Sequence, residues 1–106
     1  IMCIDDIVEE DEALWRLEDK VKVDCYDHML ITRELPTPMP IKATDGAKRA
    51  IPGKYFRYET VLVPIHYGVL DNAYEDIMEW HEHQINARYA HKSYLEHIKK
   101  GGALYK

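Results

Sequence analysis

Four of the chain's five prolines fall between Pro36 and Pro52. Proline has no backbone N–H and holds φ near −65°, so neither a helix nor a central strand passes easily through such a stretch. The run Pro36-Thr37-Pro38-Met39-Pro40 predicts an extended, polyproline-like backbone. With Gly46 and Gly53, residues 36–54 read as a long connection without regular structure. Two roles fit it: a surface loop, or a stiffened arm laid over a partner, which loses little entropy on binding. Its charges are Lys42, Lys48, Arg49 and Lys54 against Asp45, a net +3.

The 106 residues on which this segment is placed amount to one small domain, taken as 1–106. Hydrophobic residues make up 46%, enough to build a core and too many for a disordered chain. The first 19 residues carry eight acids against Arg16 alone, a net of −7 and the reverse of a basic targeting peptide. The uncharged run Thr60–Leu70 is eleven residues long and contains Pro64 and His66, short of the roughly 20 apolar residues a membrane span needs. Outside the acidic start there are 13 basic and 11 acidic residues without a Lys/Arg stripe, so no nucleic-acid partner is expected. Cys3 and Cys25 form neither a disulfide framework nor a zinc site. They read as reduced thiols of a soluble intracellular chain, with a single Cys3–Cys25 bridge as the alternative.

Ile4 to about Lys20 reads as a helix capped by Asp5 or Asp6, with Ile7, Leu14, Leu17 and Val21 along one side. Val21–Leu35 alternates at Val21, Val23, Cys25, Met29, Ile31 and Leu35, which suggests a strand; continuation of the first helix stays open. Tyr55–Tyr67 is the clearest strand, with Phe56, Tyr58, Thr60 and Leu62 on one face. Asn72–Lys100 reads as a helix, opened by a capping box of Asn72 and Glu75 and closed by Gly101 and Gly102. At 1.5 Å per residue such a helix reaches about 43 Å. A compact domain of this size is only about 33 Å across. The helix therefore breaks near Asn86, or it protrudes and lies against something. The expected fold is α+β: an N-terminal helix, a small antiparallel β element, a long extended proline-rich connection and a long C-terminal helix over 72–100.

Within that helix, Ala73, Trp80, Ala87 and Tyr94 alternate with Ile77, Gln84, His91 and Ile98 at 4,3 spacing, a heptad-like seam. Its polar members Gln84 and His91 suit a specified register with a partner, and His91 a pH-sensitive contact. The competing reading packs one wide face on the chain's own core. His81-Glu82-His83 lacks the spacing of a helical zinc motif, because Ile85 stands where a second histidine is needed. Asp76, Glu79 and His83 share a helix face and form a candidate zinc or manganese site, which His66 could complete. Cys25, Asp27 and His28 are close enough in sequence to suggest an activated thiolate.

Asp5-Asp6-Ile7-Val8, Glu10 and Ala13-Leu14-Trp15-Arg16-Leu17 resemble the acidic stretch and A-L-x-R-L run of the small matrix-side subunit of the cytochrome bc1 complex. The resemblance covers residues 5–17, and the family's later L-P-x-x-x-W pattern is missing. It implies an accessory subunit and nothing finer.

Two functions follow. The first is a non-catalytic protein–protein interaction chain: an accessory subunit or adaptor in a larger assembly, or an inhibitor presenting an acidic helix. Its partners are other protein chains, in an oligomer or hetero-complex. Its contacts are Trp80, Gln84, His91, Tyr94, Ile98, Pro36, Pro38 and Pro40, and no cofactor is required. Eight tyrosines fit this reading, since Tyr joins a large apolar body to a hydroxyl. The second is a small metal-dependent enzyme using Asp76, Glu79 and His83.

Overall fold

A computed structural model describes residues 14–44 and 49–101. Among these residues five antiparallel strands and one α-helix follow in order: β1 (Arg16–Val23), β2 (Tyr26–Lys42), β3 (Ala50–His66), β4 (Val69–Leu70), β5 (Asp76–His81) and α1 (Gln84–Lys99). The main sheet has the order β1-β2-β3-β5, and β4 pairs with the end of β3. A 3₁₀ turn, Asn72–Tyr74, precedes β5. No described helix is long and apolar enough to cross a membrane.

The expected helix-rich layout is thus corrected to a mostly antiparallel sheet with one C-terminal helix. Residues 4–13 of the expected N-terminal helix lie outside the described residues, and Arg16–Lys20 belong to β1. Leu14, Leu17 and Val21 fit helical spacing, but Leu17, Asp19, Val21 and Val23 also alternate with Arg16, Glu18, Lys20 and Lys22. Pairing along β2, from Arg16 opposite Arg33 to Val23 opposite Tyr26, selects the strand. Two residues, Asp24 and Cys25, make the turn into β2, both at positive φ (53° and 71°). That is the backbone of a primed hairpin turn, here built without glycine. Lys22 and Asp27, opposite each other beside it, form a 2.8 Å ion pair. A second two-residue turn, Tyr67-Gly68, also at positive φ, joins β3 to β4.

The expected 72–100 helix is divided. Asp71 accepts a bond from the Ala73 N–H and caps the 3₁₀ turn, the role expected of Asn72. Residues 76–81 then pair with β3, and the helix begins only at Gln84. The conflict between helix length and domain size is resolved by a break, two residues before Asn86. Gly101, at φ 77°, closes α1 by donating to the Ile98 carbonyl.

Helix α1 covers one face of the sheet, where Val21, Leu30, Leu62 and Ile98 form a core with Val23, Met78, Tyr94 and Leu95 around it. On the other face Ile31, Val61 and Val63 are buried with Met29 and Leu70. Each fully buried aliphatic side chain here contributes about 1.5–3 kcal/mol.

The proline-rich connection is also corrected. Strands β2 and β3 run 17 residues each, about 55 Å of extended chain. They pair beyond the reach of β1 and β5, through Met39 opposite Phe56, Pro40 opposite Tyr55 and Lys42 opposite Ala50. Register irregularities between Glu34 and Met39 and between Pro40 and Lys42 absorb the prolines. The result is a two-stranded ribbon extending from the sheet. It accounts for a radius of gyration of 16.4 Å and a long dimension of 53 Å, against about 13 Å for a compact chain of this length.

Candidate functional site

Five polar side chains from β1, β2, β3, β5 and α1 meet in one line under the helix. Asp19 Oδ2 lies 2.8 Å from His91 Nε2, and His91 Nδ1 lies 2.8 Å from Thr32 Oγ1. Thr32 Oγ1 lies 2.8 Å from Thr60 Oγ1, which lies 2.8 Å from His81 Nε2. Thr32 and Thr60 are wholly buried, and each histidine is only 4% exposed. The sheet builds this line because Thr32 and Thr60 are register partners on the face that also carries Leu30 and Leu62. Threonine keeps the β-branched shape a strand prefers, but its buried hydroxyl needs a partner.

The chemistry of each group orders the donors. A carboxylate only accepts, so His91 Nε2–H donates to Asp19. When the His91 ring carries no second proton, its Nδ1 accepts from the Thr32 hydroxyl. Each hydroxyl has one proton, so Thr60 donates to Thr32 and accepts from His81 Nε2–H. The remaining His81 nitrogen, Nδ1, is left as a lone pair. Burial pushes the His81 imidazole below its ordinary pKa, and Glu79 opposes this only in part, so the neutral ring is favoured.

His81 opens on a groove of about 480 Å³ between β5 and α1, lined also by Glu79, Asn86, Tyr89, Ser93, Tyr94 and His97. Glu79 Oε2 stands 3.9 Å from His81 Nδ1, and the Tyr94 hydroxyl donates to Glu79 Oε1 at 3.0 Å. Burial, together with that bond, pushes the Tyr94 phenol up to about 12.

The root of the ribbon is fixed by rings and charges. Trp15 meets Tyr58 edge-on at 5.6 Å, with the Arg88 guanidinium 5.3 Å from the Trp15 ring. Phe56 stacks on Trp80 at 6.1 Å. Arg33 is held by Glu59 at 2.7 Å and by Glu75 at 3.3 Å. Burial works against the Arg33 charge, but the two carboxylates outweigh it and raise its pKa. Beyond this root, none of Pro36–Lys42 or Ala50–Tyr55 is buried.

The expected contact residues divide between these places. Trp80 lies on β5, 40% exposed. Gln84 opens α1, its Oε1 accepting from Arg88. His91 belongs to the buried line, Tyr94 holds Glu79 and Ile98 lies in the core. Pro36, Pro38 and Pro40 are exposed on the ribbon. Of the expected metal ligands, Asp76 and Glu79 are on β5, and His83 is the N-cap residue of α1 with its side chain 72% exposed. Their shared helix face does not exist, because residues 76–81 are a strand. Among the described residues no three His, Cys, Asp or Glu side chains are grouped to hold a metal. His66 pairs with Asp71 at 3.0 Å instead. Cys25 is an exposed free thiol, Asp27 bonds Lys22, and His28 Nδ1 lies 2.9 Å from the Tyr26 carbonyl oxygen.

Sequence reasoning missed Asp19, Thr32, Thr60 and His81 as a set. The available signal was two threonines on the same strand faces as Leu30 and Leu62. Comparison with protein-family models, curated proteins and solved structures finds no match for the chain.

Proposed function

We propose that the chain is a non-catalytic interaction protein, a small subunit or adaptor, that grips an acidic segment of a partner protein with its β2–β3 ribbon. The observation that carries this reading is the ribbon itself. A two-stranded ribbon is marginal in water unless something packs on it. Its described residues past the root include Lys42, Arg49 and Lys54 and no carboxylate, and Arg57 stands at the root's outer edge. Exposed Tyr55 and Ile51 stand among these cations, and Arg57 lies 5.7 Å from the Tyr55 ring centre. Pro36, Pro38 and Pro40 remove three N–H donors from β2 where β1 no longer covers it. That suppresses addition of another strand and directs a partner to the ribbon's face. The mixture of aromatic, aliphatic and basic side chains favours a protein over a bare phosphate backbone.

The test is binding of a poly-glutamate peptide and of a duplex DNA of matched charge to the full chain. The expected result is peptide binding that weakens between about 50 and about 300 mM salt, as screening requires. It is lost in the triple variant Lys42→Glu/Lys54→Glu/Arg57→Glu. Tighter binding of the DNA, or equal peptide binding by the variant, overturns the proposal.

A further inference from the structure

We propose that the groove between β5 and α1 binds a small protonated amine, seated between His81 Nδ1 and Glu79, and that its occupancy is coupled through Thr60 and Thr32 to a proton on His91. The starting point is a pair of acceptors, His81 Nδ1 and the Glu79 carboxylate, 3.9 Å apart on one groove. His81 is almost wholly buried, and its Nε2 is committed to Thr60. The donor order leaves a lone pair on Nδ1, facing the Glu79 carboxylate across 3.9 Å, too far for a hydrogen bond. Glu79 is held there by the Tyr94 hydroxyl.

A buried acceptor aimed into a groove calls for a donor. Glu79 repels an anion and attracts a cation. Tyr89 and Tyr94 line the same groove, and aromatic side chains attract alkylammonium groups. An ammonium group has N–H donors for both His81 and Glu79.

The coupling follows from counting protons. Let one proton enter from the groove and bond to His81 Nδ1. The Nε2 proton then passes to Thr60, the Thr60 hydroxyl proton to Thr32, and the Thr32 hydroxyl proton to His91 Nδ1. One N–H is gained at each histidine and one lost at His81, so the net change is a single added proton. The charge comes to rest on His91, beside Asp19. The donors between His81 and His91 have reversed, the His91 Nε2–H bond to Asp19 is unchanged, and His81 now presents Nδ1–H to Glu79. That N–H occupies the place of the amine, so proton and amine compete. Among the described residues, the titratable and charged groups of the line and its groove are Asp19 from β1, His81 and Glu79 from β5, and His91, Tyr94 and His97 from α1, and β2 and β3 supply the threonine hydroxyls to the line.

The experiment is nitrogen-resolved NMR of the histidine rings in the full chain, with methylammonium as the probe. At pH 7.5 without probe, His81 is expected with Nε2 protonated and Nδ1 bare. Methylammonium shifts the Nδ1 signal, and its affinity is about fivefold or more weaker at pH 5, a modest coupling between sites. Tetramethylammonium, which has no N–H, binds more weakly. Thr60→Ser keeps the pH dependence, and Thr60→Val diminishes it. An Nδ1-protonated His81 at pH 7.5, an unmoved Nδ1 signal, or equal affinity at the two pH values overturns the proposal. Where Thr60→Val fails to fold, His97→Gln, which removes the other imidazole lining the groove, keeps the pH dependence, and its loss in that variant overturns the coupling.

Discussion

Strands β2 and β3 are each one continuous strand in two environments. Within the sheet, between Met29 and Thr32 and between Thr60 and Val63, they carry Leu30 and Leu62 of one core, Ile31, Val61 and Val63 of the other, and the centre of the polar line. In the ribbon the same two strands pair only with each other, and no side chain of Pro36–Lys42 or Ala50–Tyr55 is buried. The ladder of backbone hydrogen bonds is common to both halves. What differs is burial, so burial sets where stability resides and leaves the ribbon free to serve contact.

The sharpest way to break this comparison is a matched pair of aliphatic truncations. Leu30→Ala in the sheet is expected to cost about 2–5 kcal/mol, the lost transfer energy plus the cavity. Ile51→Ala in the ribbon, at 37% exposure, is expected to stay within about 0.5 kcal/mol. Chemical denaturation of both variants measures the difference. Similar losses would mean that the ribbon is part of the cooperative core.

A smaller effect distinguishes the polar centre of the sheet from its apolar surroundings. Thr32→Val keeps the strand-favouring shape but removes one hydroxyl, leaving His91 Nδ1 and Thr60 without their partner. The expected cost is about 1–3 kcal/mol, the desolvation of orphaned buried groups. Adding Thr60→Val should then cost less than its effect alone, because the two act on one network. Strict additivity in a double-mutant cycle would show that the line is not a connected unit.

The two halves were also unequally legible in the sequence. The alternation at Phe56, Tyr58, Thr60 and Leu62 identified β3 and its faces, because a half-buried strand must alternate. The ribbon half of β2 was hidden by its prolines, which argue against a strand wherever both edges are paired; here one edge is open. The Asp24-Cys25 turn was hidden because positive φ is usually announced by glycine or asparagine. Strand β5 was hidden because Ile77, Met78 and Trp80 fit a helical stripe as well as a bulged strand, and pairing with β3 decided between them. The buried line was the least legible. His91 and Asp19 are 72 residues apart, and His81 and Thr60 are 21 apart, so only tertiary packing brings these types together.

The smallest expected effect is in the response to acid, where the halves again differ. The described residues of the ribbon past its root include no histidine or carboxylate, so its positive charge persists as pH falls from 8 to 5. The sheet contains His81, whose pKa burial lowers from the ordinary value of 6.5. In the unfolded chain this ring protonates as pH falls through about 6.5. In the folded chain protonation is delayed to lower pH. Below about 6.5 the unfolded state therefore binds more protons, and stability from this group declines until pH has passed through the folded value. Above that window its contribution is complete and constant. Denaturation midpoints measured at pH 7.5 and 5.5 should fall on the acid side in the native chain, with a shallower fall in His81→Asn. An equally steep fall in that variant would assign the acid sensitivity elsewhere. Salt-dependent binding of poly-glutamate by the ribbon should persist across the same interval, so that acid loosens the sheet while the grip of the ribbon is retained.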